Sequence, residues 1–187
     1  MRLTDYKGMK KNKIYVEKNF DIVKKERGYA VFSFDKKYRY ILGRKWSNKG
    51  KCLFILLNPS TADAFKLDPT ITRAYNLSKK LGFGELIILN IFAIRGSNPE
   101  IIKKVSDPIG PLNNYYIKKY VKKSDLIILG WGNHGKINNR SKDIIDIIKK
   151  VKKEIYVLDI NKNGEPKHPL YIKSDIKIKK YNILHNV

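Results

Sequence analysis

Four short apolar runs constrain the fold of this chain more than any other feature of its sequence. Three of them, residues 52–57, 86–89 and 126–129, are almost wholly apolar. The fourth, residues 155–160, is interrupted only by Asp159. Continuous apolar runs of this length are typical of strands buried on both faces, as in a parallel sheet covered by helices.

The segments between these runs show the signals of helices. Asp68 and Pro69 combine a capping carboxylate with a proline suited to the first helical turn, and Gly82 ends that segment. Pro111 opens a second helical segment in the same way, and this segment runs to Lys123. In a third segment, apolar residues recur with the period of a helix. They are Ile144, Ile147, Ile148 and Val151.

Residues 28–46 show a different pattern, with two short alternating runs around Asp35, which predicts an antiparallel hairpin. Strands that alternate with helices predict an α/β fold. We therefore expect a three-layer α/β/α sandwich with a central, mainly parallel four-stranded sheet, preceded by this N-terminal β-hairpin. No internal repeat or linker is evident, so a single domain is expected over residues 1–187. Its basic extension and hairpin occupy residues 1–50, and its core occupies residues 51–171.

The composition excludes several classes of protein. With 187 residues, 42% of them hydrophobic, the chain is large and apolar enough to bury a core. A single cysteine, Cys52, excludes a disulfide framework and a four-cysteine metal site. The 40 Lys and Arg against 17 Asp and Glu give a net charge of +23, which indicates a polyanion partner such as DNA. An excess of lysine with isoleucine, asparagine and tyrosine is also typical of an AT-rich genome, so charge alone leaves the partner open.

The sequence shows no apolar stretch approaching the roughly 18 residues of a membrane span. Its basic N-terminus lacks the apolar segment of a secretory signal. We therefore expect a cytoplasmic protein with no membrane partner. We also expect no metal, no cofactor and a monomeric state.

Polar segments of distinctive chemistry follow the apolar runs. NPSTADA occupies residues 58–64, after the first run, and Asn90 ends the second. WGNHG at residues 131–135 follows the third run, and KHPLY at residues 167–171 follows the fourth. Because ligand sites of α/β sheets lie outside the carboxyl ends of the strands, we expect these segments to converge at one edge of the sheet.

The order and chemistry of these segments resemble those of the uracil-DNA glycosylase superfamily. LNPS at residues 57–60 resembles its water-positioning loop of the GQDP or GINP type. LIILN at residues 86–90 resembles the strand that ends in a base-reading asparagine, and LGWGNH at residues 129–134 resembles an LWGNH-like turn. His168 begins the counterpart of an HPSP-like motif. The resemblance extends over residues 51–171 and implies a glycosylase-like fold.

More narrowly, the chain resembles a bacterial and phage family, domain of unknown function 1643. The residues that match its hallmarks are RKW at 44–46, LNPSTADA at 57–64, DPTITR at 68–73 and HPLY at 168–171. Membership of this family implies the glycosylase-like fold and leaves the activity open.

The resemblance to the glycosylases also implies roles for individual residues. Asn58 would position the water that attacks the anomeric carbon. Asp63, in the same loop, is a further candidate, which would act on the water in place of Asn58 or orient Arg73. His168 would donate a hydrogen bond to the carbonyl oxygen of the departing base, and Asn90 would pair with the edge of that base through its amide.

Pro59 and Ser60 are further candidates for the base pocket. Residues 60–62 have small side chains where uracil-specific enzymes of the GQDPYH type place a bulky tyrosine. This departure predicts room at C5 of a pyrimidine, unless Tyr75 or Phe92 fills the space.

Basic and aromatic side chains near these loops are candidate DNA contacts. They are Arg73, Arg95, His134, Lys136, Arg140 and Tyr171. For each basic residue, a solvated surface charge is the alternative. Tyr171 is in addition a candidate wedge for base flipping, because Leu170 and Tyr171 replace the serine and proline that follow His-Pro in the superfamily.

The predicted function is a DNA glycosylase-like hydrolase that cleaves the N-glycosidic bond of a modified, 5-substituted or mismatched pyrimidine in DNA. Two alternatives stay open. One is a noncatalytic DNA-binding module with the same fold, and the other is an enzyme that acts on free nucleotides in a phage base-modification pathway.

Overall fold

The computed structural model describes residues 13–173 and 177–182. Within this part of the chain, the strands are β1 (Ile14–Asp21), β2 (Glu26–Ser33), β3 (Arg39–Lys45), β4 (Lys51–Leu56), β5 (Glu85–Asn90), β6 (Leu126–Gly130), β7 (Tyr156–Val157) and β8 (Lys179–Lys180). The α-helices are α1 (Pro69–Lys80), α2 (Ile101–Lys104), α3 (Asn113–Lys123) and α4 (Arg140–Lys149). Two 3₁₀ turns cover Asn133–Asn139 and Pro169–Tyr171.

The strands form one mixed, eight-stranded sheet in the order β1-β2-β3-β5-β4-β6-β7-β8. Four of the pairings are antiparallel, namely β1 with β2, β2 with β3, β3 with β5, and β7 with β8. The pairings of β5 with β4, β4 with β6 and β6 with β7 are parallel. The predicted sandwich around a central, mainly parallel four-stranded sheet is therefore wrong.

The physical cause of this error lies in the hairpin. Strands β2 and β3 pair antiparallel around the turn at Asp35, but β3 also pairs with β5, and Leu42 lies opposite Ile88. Neighbouring residues of β3 belong to opposite faces, since Ile41 packs into one core cluster and Leu42 into the other. A hairpin that is apolar on both faces continues the sheet, and β1, with Ile14 opposite Ser33, extends it further.

The sheet separates two hydrophobic clusters. Along β4, Leu53 and Ile55 face a cluster that also contains the buried residues of α3 and α4. Phe54 and Leu56 face the opposite cluster, to which α1 contributes Ile71. This alternation, with every residue from 52 to 57 buried, explains why the run contains almost no polar side chain.

Helix α1 begins and ends where its sequence predicts. The carboxylate of Asp68 accepts a hydrogen bond from the backbone N–H of Ile71, and Pro69 is the first helical residue. Gly82 follows the helix with a φ of +83°, a conformation that glycine adopts without strain. Because the helix starts directly after the loop that follows β4, its N-terminus lies at the carboxyl edge of the sheet.

Helix α3 starts further along the chain than expected, and α4 buries fewer of its apolar residues than expected. Helix α3 begins at Asn113, after Pro111. In α4, Ile144 and Ile148 are fully buried, whereas Ile147 is only partly buried against the core. Among the residues described above, no helix has the length and apolar character needed to cross a bilayer.

Candidate functional site

A cavity of about 620 Å³ opens at the carboxyl edge of β4, β5 and β6. Its wall contains Asn58 and Ser60 from the loop after β4, Asn90 at the end of β5, His134 after β6 and His168 beside the last 3₁₀ turn. The parallel pairing of β4 with β5 and β6 brings these strand ends together. A volume of several hundred Å³ is typical of sites for small molecules and nucleosides.

Asn58 is held in one orientation by the segment that follows β5. Its Nδ2 donates to the carbonyl oxygen of Gly96 at 2.8 Å and, more weakly, to that of Pro59 at 3.3 Å. The N–H of Gly96 donates to the carbonyl oxygen of Pro59 at 2.8 Å, which ties the two loops together. Because these carbonyls occupy Nδ2, the atom through which Asn58 can bind a molecule in the cavity is the acceptor Oδ1.

Asn90 is 2% exposed and is oriented from two sides. Its Oδ1 accepts a hydrogen bond from Nη2 of Arg39 at 3.3 Å. Its backbone carbonyl accepts from Nδ2 of Asn113 at 2.9 Å, and this nitrogen also donates to the carbonyl of Ile91 at 3.0 Å. With Oδ1 directed to a cation, the group that Asn90 offers to the cavity is its amide donor, Nδ2.

His168 is arranged as a neutral hydrogen-bond donor. Its Nδ1 accepts a hydrogen bond from the backbone N–H of Leu170 at 3.3 Å, so the proton of the neutral ring is on Nε2. Burial lowers the pKa of His168 below its ordinary value, and the nearby carboxylate of Asp68 opposes this shift. The ring is therefore uncharged at neutral pH, with its N–H directed away from the turn.

Arg73, a predicted DNA contact, binds the backbone of the turn after His168. Its Nη1 donates to the carbonyl oxygens of Pro169 at 2.8 Å, Leu170 at 2.9 Å and Ile172 at 2.5 Å. With three acceptors in the protein, Arg73 fixes the His168 turn onto α1 and does not belong to the wall of the large cavity.

Asp68 is a cavity residue that the sequence indicated only as a helix cap. One oxygen, Oδ1, caps α1 by accepting from the N–H of Ile71 at 2.9 Å, and the residue also lines the cavity. No described residue donates a hydrogen bond to its other oxygen. The signal was present in the sequence, because a cap that directly follows a strand-end loop lies at the carboxyl edge of the sheet.

Asp63, the carboxylate that the sequence favoured, faces its own loop. Its Oδ1 accepts from the backbone N–H groups of Phe65 and Lys66, both at 2.8 Å. Its backbone carbonyl accepts from Arg44 at 2.9 Å. The structure does not bring Asp63 to the cavity wall, where Asp68 is the carboxylate present.

Arg39 is a second cavity residue that sequence reasoning missed. It begins β3, is 2% exposed and lines the cavity next to Asn90. Its Nη1 donates to the carbonyl oxygen of Ala62 at 2.8 Å. The pattern of β3 gave no signal for it, because an arginine next to a turn is ordinarily a surface residue.

The aromatic residues that were expected beside the base lie elsewhere. The hydroxyl of Tyr75 donates to Glu26, and its ring packs edge-on against Trp46 at 5.1 Å. Phe92 is fully buried in the core cluster of α3 and α4. Ser60 lines the cavity, whereas its neighbour Pro59 is buried outside the wall.

The predicted DNA contacts divide into two groups. His134 and Tyr171 are exposed and line the cavity, and Tyr171 is 73% exposed. The other four do not line it. Lys136 is exposed, and Arg95 donates to the carbonyl of Lys36. Arg73 binds the His168 turn, and Arg140 is 1% exposed with its guanidinium bonded to Ile91 and Asn114.

Two further observations delimit the site. Over residues 13–173 and 177–182, no group of three or more histidine, cysteine, aspartate or glutamate side chains is arranged to hold a metal ion. A smaller cavity of about 260 Å³ lies behind the His168 turn, between α1 and Ile172, and its wall contains neither a carboxylate nor a histidine. The candidate chemistry is therefore at the larger cavity.

The fold and the site define a mixed-sheet α/β protein with a polar cavity at the carboxyl ends of its parallel strands. The particular family follows from comparison of the sequence. The family model described as "Protein of unknown function (DUF1643)" matches residues 39–170, and the chain belongs to this family. No curated protein and no solved structure matches the chain. None of these comparisons supports the expected resemblance to uracil-DNA glycosylases.

Proposed function

We propose that this protein is a DNA glycosylase-like hydrolase that cleaves the N-glycosidic bond of a modified, 5-substituted or mismatched pyrimidine. The observation that supports the proposal is the convergence of Asn58, Asn90 and His168 on one cavity. The three residues come from the segments that resemble the uracil-DNA glycosylase superfamily. Together they offer one acceptor and two donors, which suits a pyrimidine base and an attacking water.

The base would be held through its polar edge by Asn90. The Nδ2 group of this residue donates to a carbonyl oxygen of the pyrimidine, while Oδ1 stays bonded to Arg39. Beside the base, Ser60 provides a small side chain in the cavity wall, and neither Tyr75 nor Phe92 belongs to that wall. Space at C5 supports a 5-substituted pyrimidine as the substrate class.

His168 would stabilise the departing base. When the bond between the base and the anomeric carbon breaks, its electron pair goes to the ring nitrogen, and negative charge spreads to the carbonyl oxygen of the base. The N–H at Nε2 donates to this oxygen more strongly in the transition state than in the ground state, which is the condition for acceleration. A donor of this kind typically contributes about 3 kcal/mol.

Asn58 and Asp68 would act on the water. The Oδ1 atom of Asn58 accepts one hydrogen of the water and so orients its oxygen towards the anomeric carbon. As the oxygen forms its bond to that carbon, the other proton passes to the carboxylate of Asp68. This assignment places the base function on Asp68 in place of Asp63, because Asp68 lines the cavity. The products are an abasic site in DNA and the free base, which takes a proton from solvent.

DNA binding is supported by the net charge of +23 and by two exposed residues of the cavity wall. Tyr171 is 73% exposed, and its ring centroid lies 5.9 Å from that of His168. An aromatic ring in this position could occupy the gap that an extruded nucleotide leaves in the stack. His134, in the 3₁₀ turn that follows β6, is the second such residue.

The test offers the full-length protein a panel of oligonucleotides that contain uracil, mismatched thymine or 5-substituted pyrimidines, in single and double strands. Alkali then converts abasic sites to strand breaks. We expect breaks with at least one modified base, and a loss of about 100-fold or more in rate for His168→Asn. Asp68→Asn and Asn58→Ala are expected to lose activity as well.

Matched controls are Asp146→Asn and Asn48→Ala, which change exposed residues away from the cavity. Circular dichroism verifies that each variant is folded. Strand breaks that persist unchanged in all three cavity variants, or an absence of breaks across the panel, would refute the proposal. In the second case, duplex binding that weakens steeply between roughly 50 and 200 mM salt would indicate the noncatalytic module.

A further inference from the structure

The cavity wall contains a buried positive charge, Arg39, that forms no ion pair within the described part of the chain. Arg39 is 2% exposed, and its guanidinium bonds to two neutral oxygens, the carbonyl of Ala62 at 2.8 Å and Oδ1 of Asn90 at 3.3 Å. Its buried Nε has no hydrogen-bond partner among the residues that the structure describes. Within residues 13–173 and 177–182, no carboxylate lies close enough to form an ion pair with it.

Arg39 nevertheless remains charged at neutral pH. Burial lowers its pKa to about 10, which is still well above the physiological range. The carboxylates of Asp68 and Asp63 act against this shift from outside ion-pair distance, and the neighbouring cations Arg95 and Arg44 add to it. Folding therefore buries a cation that has two carboxylates and two other cations nearby but no ion-pair partner among the described residues, an arrangement that a negatively charged ligand would make more favourable.

We infer that Arg39 makes this cavity an anion subsite, which binds a pyrimidine base in its anionic form. This inference rests on the proposed function, in which the bond electrons leave with the base. Asn90 connects Arg39 to the base. Its Oδ1 accepts a hydrogen bond from Arg39, and its Nδ2 would donate to the base. Arg39 thus polarises the Asn90 amide and acts on the charge of the base as a fixed field, while His168 donates to the base directly.

Position favours a base over a phosphate group as the anion. The phosphates of a bound DNA strand stay at the protein surface, whereas an extruded base reaches the interior. Arg39 is buried beside Asn90 at the end of β5, whereas other residues of the cavity wall, among them Tyr171 and His134, are exposed to solvent. The buried guanidinium of Arg39 would therefore lie near the extruded base.

The test measures binding of free pyrimidines by calorimetry, so it needs no catalytic turnover. The probes are 5-nitrouracil, which is anionic at neutral pH because the nitro group withdraws charge, and uracil, which is neutral. We expect the full-length protein to bind 5-nitrouracil at least about tenfold more tightly than uracil. Arg39→Gln is expected to lose this preference, and Arg39→Lys is expected to retain part of it.

Arg27→Gln is the matched control, since it removes the same charge from an exposed position on β2. If Arg39→Gln does not fold, the wild-type protein still provides a test, because 5-nitrouracil should bind less tightly as the pH falls through the ionisation of this base, a range in which Arg39 stays charged. Equal affinities for the two pyrimidines at neutral pH with no such fall would overturn the inference. Inorganic phosphate that binds through Arg39 while neither pyrimidine does would also overturn it.

The outcomes separate this inference from the proposed function. An anion preference that depends on Arg39, together with intact oligonucleotides across the panel, would support the anion subsite and refute the proposed hydrolase activity. Abasic sites formed at the wild-type rate by Arg39→Gln, together with no anion preference in the wild-type protein, would support the hydrolase and refute the subsite.

Discussion

The guanidinium of Arg73 donates a hydrogen bond from Nη1 to the carbonyl oxygen of Pro169, 2.8 Å away, and so joins helix α1 to the turn that follows His168. The same helix begins at the cap Asp68, which lines the cavity. One helix therefore determines the positions of both a carboxylate and an imidazole. Arg73 is a positioning residue, since it acts on the cavity only through the backbone of the turn.

Replacing Arg73 by methionine should loosen the His168 turn. The change removes a charged donor from three carbonyls, and because the side chain is exposed we expect a loss of about 1–2 kcal/mol in the free energy of unfolding. Turnover of a cleavable oligonucleotide should fall while KM changes little, and Arg73→Lys should restore part of it. Denaturant unfolding and abasic-site assays measure the two effects. Lys118→Met, on the exposed side of α3, is the control, and equal behaviour of the two methionine variants would contradict the assignment.

Asn113 should be essential for the end of β5. It is fully buried, and its Nδ2 donates to the carbonyls of Asn90 and Ile91 at 2.9 and 3.0 Å. In Asn113→Asp a carboxylate replaces the donor and faces both carbonyl oxygens. We expect a loss of about 3 kcal/mol or more in the free energy of unfolding, because buried groups are left unsatisfied and a charge is added. Chemical denaturation measures this loss.

The isosteric control for that variant is Asn48→Asp, at an exposed turn. Surface substitutions of this kind change stability by no more than about 0.5 kcal/mol. A loss of similar size in both variants would show that Asn113 does not hold the strand end.

The ends of the central strands were predictable from the sequence. A strand that is buried on both faces is a continuous apolar run, and the run ends where a polar loop begins. The sequence therefore indicated that Asn58, Asn90 and His168 follow strands of one sheet, and these residues do line one cavity. The extent of the sheet was not predictable in the same way. The hairpin strand β3 contains Arg39 and Arg44, both buried, so it read as half-polar although nearly all of it is buried.

The charged residues of the site show why their positions could not be predicted from the sequence alone. The carboxylate of Asp63 faces its own loop because it accepts hydrogen bonds from the backbone N–H groups of Phe65 and Lys66. Asp68 instead caps α1 and lines the cavity. Arg140 lies in a basic, polar segment that reads as surface, yet its Nε donates to the carbonyl of Ile91 at 2.8 Å in the interior. Long side chains that satisfy buried carbonyls leave no periodic signal.

Cys52 should be inert towards thiol reagents in the folded protein. It lies in β4, is 0% exposed, and burial raises the pKa of its thiol to about 12. The reactive species is the thiolate, so both access and ionisation are suppressed. We expect labelling by an aromatic disulfide reagent, followed by absorbance, to be slow in native buffer, where only unfolding exposes the thiol, and complete in denaturant. The labelling rate in native buffer should equal the rate of unfolding measured by fluorescence, and rapid labelling without unfolding would contradict the position of β4.

The pH dependence of His168 follows from its surroundings. Burial lowers its pKa below the ordinary value of 6.5, so cleavage should persist to a lower pH than an exposed imidazole would allow. The unfolded chain, with the ordinary pKa, binds the proton more tightly than the folded protein does. The free energy of unfolding should therefore decrease as the pH falls through 6.5, and this contribution should level off below the folded pKa.

Nuclear magnetic resonance of the imidazole nitrogens tests this directly. The signals that disappear in His168→Gln identify the residue, and we expect a midpoint below 6.5 with the proton of the neutral form on Nε2. The same variant should lose the part of the pH-dependent stability that belongs to His168. A midpoint above the ordinary value would contradict the effect of burial on this ring. A neutral form with its proton on Nδ1 would mean that Leu170 does not donate to the ring, and His168 would then lack the N–H that the departing base requires.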